Sequence, residues 1–345
     1  MKLLVLGGTK FLGRAVVSAA LDAGHEVTLF NRGQQDPSAF PGVEQIHGDR
    51  TTAEGRAKLE GRAWDAAIDT APYLPRDVRS ICKALHGHVA HYTLVSSIST
   101  MASHAASGQD EDSPLAHLTP EQQAQVDTLS AEGPIPAKSL GEFYGPLKVQ
   151  CEEAARAAYP GALIVRPGLI VGPYDGTDRF TYWPARFMKG GDVLAPGKPE
   201  RPVLFIDVRD LAEWMVRMIA QGQGGTYLAT GPASKLTFGT LLDACMRVAH
   251  ERGAPPSRIV WTPDEKLGDV GAWMELPLWI PASDPDHAGF MTERIDRALA
   301  AGLTFRPLED TIRATLDWDA TRPPGPRGAG LDPEKEKALL SGTGS

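Results

Sequence analysis

The sequence predicts an α/β fold, a doubly wound parallel sheet followed by a smaller lobe. Three observations predict it: apolar runs of strand length alternate with helical segments through the first half, a glycine cluster follows the first run at once, and tryptophan concentrates in the second half. Strands are expected at Leu3–Leu6, Glu26–Phe30, Val43–Ile46, Ala66–Asp69, Tyr92–Ser96 and Ala162–Val165. Most lack a polar alternation, as strands covered on both faces do. Helices are expected between them at Phe11–Ala23, Arg76–Leu85 and Pro146–Ala158. Residues 102–140 are polar and rich in Ala, Ser, Gln and Pro, and read as an insertion with a short helix near Thr119–Leu129. It is expected to be a solvated loop or a mobile lid. These segments assign residues 1–172 to the main domain and 173–321 to the smaller lobe, with helices at Val208–Ile219 and Phe238–Glu251 returning to the main sheet or packing beside it. The tail 322–345 is Pro/Gly-rich and then charged, and is expected to be flexible.

A chain of 345 residues suffices for a large core, and its net charge of -8 disfavours a polyanionic partner such as nucleic acid or an anionic membrane. No stretch reaches the roughly 20 apolar residues of a membrane span. The three widely spaced cysteines, Cys82, Cys151 and Cys245, suit neither a disulfide framework nor a metal site, so a reducing cytoplasmic setting is expected. His86, His88 and His91 lie at the amino end of a strand with no acidic partner nearby, so no metal is expected.

The run Gly7-Gly8-Thr9-Lys10-Phe11-Leu12-Gly13 joins the first strand to the first helix. Gly7 permits the tight turn, Gly13 permits close helix–strand packing, and the helix N-terminus offers N–H groups to a pyrophosphate. This is the turn of a Rossmann-type dinucleotide site. After the second strand, where an acidic residue takes the ribose hydroxyls of NAD, the chain carries Asn31 and Arg32. Arg32, with Lys10 near, suits a 2′-phosphate, so NADP is expected ahead of NAD. Asp49, followed by Arg50, is placed either to contact the adenine amine or to cap a turn.

Tyr144 and Lys148 stand four residues apart, on one face of a helix that Pro146 requires to start about there. A lysine charge roughly 4 Å from a phenol lowers its pKa by up to about 3 units at an effective dielectric of about 20. Lys148, helped by an oxidised nicotinamide, is therefore expected to bring Tyr144 nearer neutrality, suited to acid/base work. The cluster Ser96-Ser97-Ile98-Ser99 ends a strand at the same rim, where a serine hydroxyl either binds a substrate oxygen or caps the strand end or the following turn.

With these features together the chain resembles the extended short-chain dehydrogenase/reductases, most of all the broad group labelled NAD-dependent epimerase/dehydratase. The likeness runs from Met1 to about Trp318. It rests on the glycine turn, Gly48-Asp49, Val95-Ser96-Ser97, Tyr144 with Lys148 and Glu152, Arg166-Pro167-Gly168, Gly172-Pro173 and the run Phe205 to Ala212. The resemblance implies that Tyr144 is the general acid/base, that Lys148 holds the nicotinamide ribose, and that Ser97 binds the substrate oxygen. It further implies that Pro167, Gly168 and Leu169 line the nicotinamide and that Thr70, Ala71 and Pro72 run along the cofactor's middle. A homodimer is also an expectation of the resemblance. Leu169 stands where sugar-nucleotide enzymes of the group carry an Asn, which counts against a nucleotide sugar. Tyr73, Arg179, Tyr182, Trp183 and Arg186 are the further substrate candidates, as aromatic walls or anion contacts; Trp273 and Trp279 form a far wall or ordinary core.

The expected activity is hydride transfer between a nicotinamide and a small carbonyl or alcohol. The alternatives are an epimerase or dehydratase that retains its cofactor, and a non-catalytic nucleotide sensor or RNA-binding protein such as the chloroplast stem-loop binding relatives.

Overall fold

In a computed structural model, which describes residues 1–36, 38–129 and 140–342, the first strand β1 (Lys2–Leu6) leads into helix α1 (Phe11–Asp22). Then come β2 (Glu26–Asn31), β3 (Glu44–His47), α2 (Ala53–Ala57), β4 (Trp64–Asp69), α3 (Pro75–Leu85) and β5 (Val89–Val95). After the insertion, which holds α4 (Pro120–Leu129), follow α5 (Tyr144–Ala158), β6 (Leu163–Pro167) and β7 (Ile170–Val171). The remainder is α6 (Tyr182–Phe187), β8 (Gly191–Pro196), β9 (Ile206–Asp207), α7 (Val208–Ala220), β10 (Gly225–Ala229), α8 (Phe238–Glu251), β11 (Ser257–Thr262), α9 (Asp296–Ala300), α10 (Leu308–Ala320) and α11 (Pro333–Gly342).

Seven strands pair in parallel in the order β10-β6-β5-β4-β1-β2-β3. Side chains alternate across the sheet. Leu3 and Val5 meet α1 and α7 through Val16, Val17, Leu211 and Trp214. Leu4 and Leu6 enter the core that α3 and α5 build with Ile81, Leu85 and Cys151. Both faces are thus dry, which is why the strands read as unbroken apolar runs. Two short parallel pairs, β8 with β11 and β7 with β9, lie outside this sheet, the first of them in the second lobe. Trp183, Phe187, Phe238 and Leu241 form that lobe's core. The helix boundaries have local causes. The Asp207 carboxylate accepts from Arg209 N at the start of α7, Thr237 caps α8, and Pro75 opens α3. No described helix is long and apolar enough to cross a membrane.

The first part of the insertion is largely exposed, yet it is tied to the rest of the chain at several points. Met101 bridges Leu115, Gly289 N donates to His104 O, and Arg294 N donates to Gln109 O. Buried Glu111 accepts from Leu228 N at 2.7 Å, closing the exposed edge of β10 with a carboxylate. The acidic run looked like a solvated loop because its partner lies more than a hundred residues away. Residues 130–139 of the expected insertion lie outside the described residues. The tail also packs as far as it is described. Arg322 pairs with Asp178, Leu331 is buried, and Glu336 takes both Arg186 Nε and Leu194 N.

Candidate active site

The carboxyl ends of β1, β2, β4, β5 and β6 open into a cleft of about 1510 Å³. The glycine turn forms one wall, with its close approach set at Gly7. There φ is +110°, and a Cβ would lie 2.7 Å from Thr70 Oγ1. A Cβ on Gly13 would stand 2.8 Å from Gly8 N, so α1 rests directly on the turn's backbone. This is a cradle shaped for a phosphate group at a helix N-terminus. Thr9, Lys10, Phe11 and Leu12 complete that wall. Asn31 Oδ1 accepts from Gly33 N at 2.7 Å, shaping the bend that presents exposed Arg32 to the cleft. Arg32 forms no ion pair among the described residues, though its charge reaches Asp49 and helps hold that carboxyl below its usual range against burial. Asp49 accepts from Thr51 N and Oγ1 and so caps a turn, as the second of its two expected roles requires. Arg50 lines the cleft but is committed: its guanidinium clamps the buried Asp69, which also accepts from Tyr92 Oη at 2.8 Å. A free cofactor contact from Arg50 is therefore not what the fold provides.

Deeper in, Thr70, Ala71, Pro167, Gly168 and Leu169 line the cleft. Pro72 does so only indirectly, its carbonyl accepting from Lys148 Nζ at 2.9 Å. The same ammonium donates to Val95 O at 2.7 Å. Two carbonyls thus fix Lys148 in a buried position, where desolvation brings its pKa down to about 8. Tyr144 opens α5, and Pro146 sits in the first helical turn, where its missing N–H costs nothing. Ser97 ends β5 and turns through a 3₁₀ segment, its Oγ accepting from Ser99 N at 3.1 Å. Ser97 and Tyr144 both line the cleft, and Ser97 acts on the phenol in the direction that lowers its pKa. What lets them meet is Gly145: a Cβ there would stand 2.0 Å from Ser99 O, so only glycine allows α5 to lie against that turn. The sequence reading passed over Gly145, although a glycine in the first turn of a helix is an available signal.

Burial raises the Tyr144 pKa, with Ser97 and the charge of Arg179 acting in the opposite direction. Lys148 Nζ lies 5.9 Å from the Tyr144 ring centroid, and its charge is spent first on backbone carbonyls. Beneath the site, Ser96 Oγ donates to Glu152, which is also held by Arg166 through two bonds of 2.8 and 2.7 Å and by Arg156. Burial opposes ionisation of Glu152, yet the Arg166 contacts keep its pKa below the ordinary value. Ser96 is thus structural, and Ser97 faces the cleft.

Of the substrate candidates, Tyr73, Ser97 and Arg179 line the cleft; Tyr182, Trp183 and Arg186 do not. Trp183 is fully buried on the inner side of α6, its Nε1 donating to Pro277 O at 2.9 Å. Tyr182 packs under the tail beside Gly330, and Arg186 is taken by Glu336, Gly190 O and Asp192 O. Trp273 forms the far wall, whereas Trp279 is core, donating to Asp264. His86 and His88 flank the turn before β5, at the sheet's other end, and His91 donates to Gln223 O. No cluster of metal-ligating side chains occurs among the described residues.

One group of site residues was not foreseen. His104 from the insertion stacks on His287 at 6.0 Å, and both line the cleft with Phe290. Behind them Glu293 is buried, its Oε1 lacks a hydrogen bond and stands 3.9 Å from His104 Nδ1, and burial lifts its pKa to about 7. These residues come together from segments far apart in the chain, with no local motif to mark them. A pH effect follows. Between its ordinary 4.5 and about 7, the folded Glu293 keeps a proton that the unfolded chain has lost, so unfolding free energy falls as pH rises across that window. The full shift is worth about 3 kcal/mol. Glu293→Gln is expected to match wild type at pH 5 and to exceed it by about 2–3 kcal/mol at pH 8 in urea unfolding. Equal stabilities at pH 8 would remove this account.

No family model matches the chain. It is 26% identical over 264 residues to the epimerase family protein SDR39U1 of Bos taurus, covering 69% of this chain and 76% of that protein. A stretch of 68 residues is 45% identical to the 2-alkyl-3-oxoalkanoate reductase of Stenotrophomonas maltophilia, covering 20% of each chain. Among solved structures, the UDP-glucuronic acid 4-epimerase from Bacillus cereus in complex with NAD superposes with a TM-score of 0.62 at 13% identity, over 92% of this chain and 98% of that one. Human SDR39U1 with NADPH superposes with a TM-score of 0.58 at 18% identity, over 92% and 99%.

Proposed function

Taking the chain as an extended short-chain dehydrogenase/reductase, we propose that it is an NADP(H)-dependent reductase of a small carbonyl compound. The observation that carries this reading is the meeting of Ser97, Tyr144 and the doubly anchored Lys148 in a cleft that begins at the glycine cradle. The nicotinamide supplies hydride when bound. Every other part belongs to the chain. The Gly7–Gly13 turn holds the pyrophosphate, and Arg32 meets the 2′-phosphate. Lys148, fixed by Val95 O and Pro72 O, holds the ribose. Ser97 donates to the carbonyl oxygen and positions it against the Tyr144 phenol. Tyr144 then gives its proton to that oxygen as the carbon is reduced. A phenol kept protonated by burial is suited to this direction, because the reduction needs an acid. The reductase among the sequence relatives agrees with the reaction type, and SDR39U1 with NADPH agrees with the cofactor.

The test starts from freshly purified protein. It is denatured and any released nucleotide identified; the emptied protein is then titrated with NADPH and NADH, and NADPH oxidation is followed across a panel of ketones. The expected protein is empty, favours NADPH, and oxidises it with at least one ketone. Arg32→Ala is expected to weaken NADPH about tenfold, the loss of one charge-assisted phosphate contact, and to leave NADH within about twofold. Tightly retained NAD would favour the internal redox cycle of an epimerase and overturn the Arg32 role.

A further inference from the structure

The cleft contains an arginine that forms no ion pair among the described residues. Arg179 is half-buried, and its Nε donates to Thr177 Oγ1 at 3.2 Å. Its guanidinium carbon stands 5.4 Å from the Trp273 ring centroid. No carboxylate pairs with it among the described residues, whereas the deeper arginines Arg50 and Arg166 each clamp one. Of the acids that share its wall, buried Asp175 acts on Arg179 through its charge, but neither Asp175 nor Asp284 forms an ion pair with it. Asp175 accepts from Thr177 N and Oγ1, and Asp284 accepts from His287 and Asp286 N. A desolvated cation without a partner is costly, and burial does depress the pKa of Arg179. The two terminal nitrogens of its fork are the donors left open to the cleft, and its charge reaches Tyr144.

The chain holds this arrangement from two sides. Asp178, at φ +61°, sets the direction of Arg179 and is gripped by Arg322 and by Gly328 N at 2.8 Å. Trp273 sits at φ +68°, a conformation that a bulky residue adopts only under constraint, and Gly330 N ties the adjacent Met274 O at 2.8 Å. The tail therefore braces both the arginine and the ring it lies over. Strain of this kind, maintained by packed structure beside an unpaired donor fork, marks a ligand contact.

We propose that the substrate carries a carboxylate, taken by the Arg179 fork beside Tyr144, and an apolar body that lies against Trp273 and Phe290. This rests on the reading of Tyr144 as the reacting end of the cleft. A planar two-oxygen anion matches the guanidinium fork, and the aromatic walls ask for an alkyl or aryl chain. The substrate class is thus an oxo acid, reduced to the hydroxy acid.

Binding tests it without turnover. The full chain, saturated with NADP⁺, is titrated by calorimetry with 4-phenylbutanoate, its primary amide and inorganic phosphate. The carboxylate is expected to bind at least about tenfold more tightly than the amide, and Arg179→Gln to reduce that ratio below about twofold while NADP⁺ binding stays unchanged. Arg179→Lys keeps the charge without the fork and is expected to fall between. Equal binding of carboxylate and amide, a preference that survives in Arg179→Gln, or no carboxylate binding up to its solubility would overturn the assignment. Arg179-dependent binding of phosphate above the carboxylate would overturn it also. Absence of NADPH-dependent turnover with every ketone would remove the reductase reading, and full turnover in Tyr144→Phe would remove the acid role of Tyr144; either leaves this binding result standing, so the failures are distinguishable.

Discussion

Tyr144→Phe is expected to lower the rate of ketone reduction at saturating NADPH by about a thousandfold while nucleotide affinity stays within about twofold. General acid catalysis by a placed side chain is worth roughly a hundred- to ten-thousandfold, so a loss of about 4 kcal/mol in the transition state is the central expectation. The substitution removes one oxygen and little else. The ring stays in its apolar setting with Leu74, Phe143 and Leu147, and Tyr73 remains 6.5 Å away. Lys148 keeps both carbonyl partners, so the ribose contact is undisturbed. Ser97→Ala should act differently, because its hydroxyl also receives Ser99 N and shapes the turn on which α5 rests. The measurement is single-turnover reduction beside a fluorescence titration with NADPH. A fall of less than about tenfold would mean that another group delivers the proton.

Removing one member of the Glu152–Arg166 pair is expected to destabilise the fold by about 3–5 kcal/mol. Both side chains are buried, at 0% and 2% exposure, and the two bonds between them satisfy most of their polar atoms. Glu152→Ala leaves a guanidinium with only Glu111 O as a remaining partner, at 3.3 Å. It also releases Ser96 and Arg156 at once. Burial opposes and Arg166 favours the charged carboxyl, with the net pKa lowered. The pair's contribution is therefore complete above the ordinary carboxyl range and is lost as pH falls below it. Glu152→Leu with Arg166→Met replaces the charges by apolar volume and is expected to recover most of the loss. Urea unfolding at pH 7 checks this, with the slope as a control on the compactness of the unfolded chain. Single variants within about 1 kcal/mol of wild type would show that water reaches the pair.

Much of the fold was legible because both faces of the sheet are covered. Leu3 to Leu6 and Ala66 to Asp69 read as strands from apolarity alone, and Gly7 could only be a tight turn after them. Tyr144, Lys148 and Ser97 were legible as a site because helix spacing and strand ends fix where such residues face. The second lobe resisted that logic. Trp183 and Arg186 looked like site residues, yet α6 turns them to its packed side, where Pro277 and Glu336 occupy them. His104, Glu293 and Phe290 looked ordinary because nothing local distinguishes them.

The sequence by itself determined the order of strands and helices, the glycine turn and the placing of Tyr144 four residues before Lys148 at a helix start, since each depends on residues within a turn or two of one another. Only the tertiary structure decided which charges are free. Arg50, Arg166 and Arg322 are consumed by Asp69, Glu152 and Asp178, while Arg179 is left open. It also decided that burial raises the Tyr144 pKa and that the tail braces Arg179 and Trp273. The physical reason is that desolvation and ion pairing depend on what the whole chain places within a few ångströms of a group, and neighbours along the sequence carry little of that information.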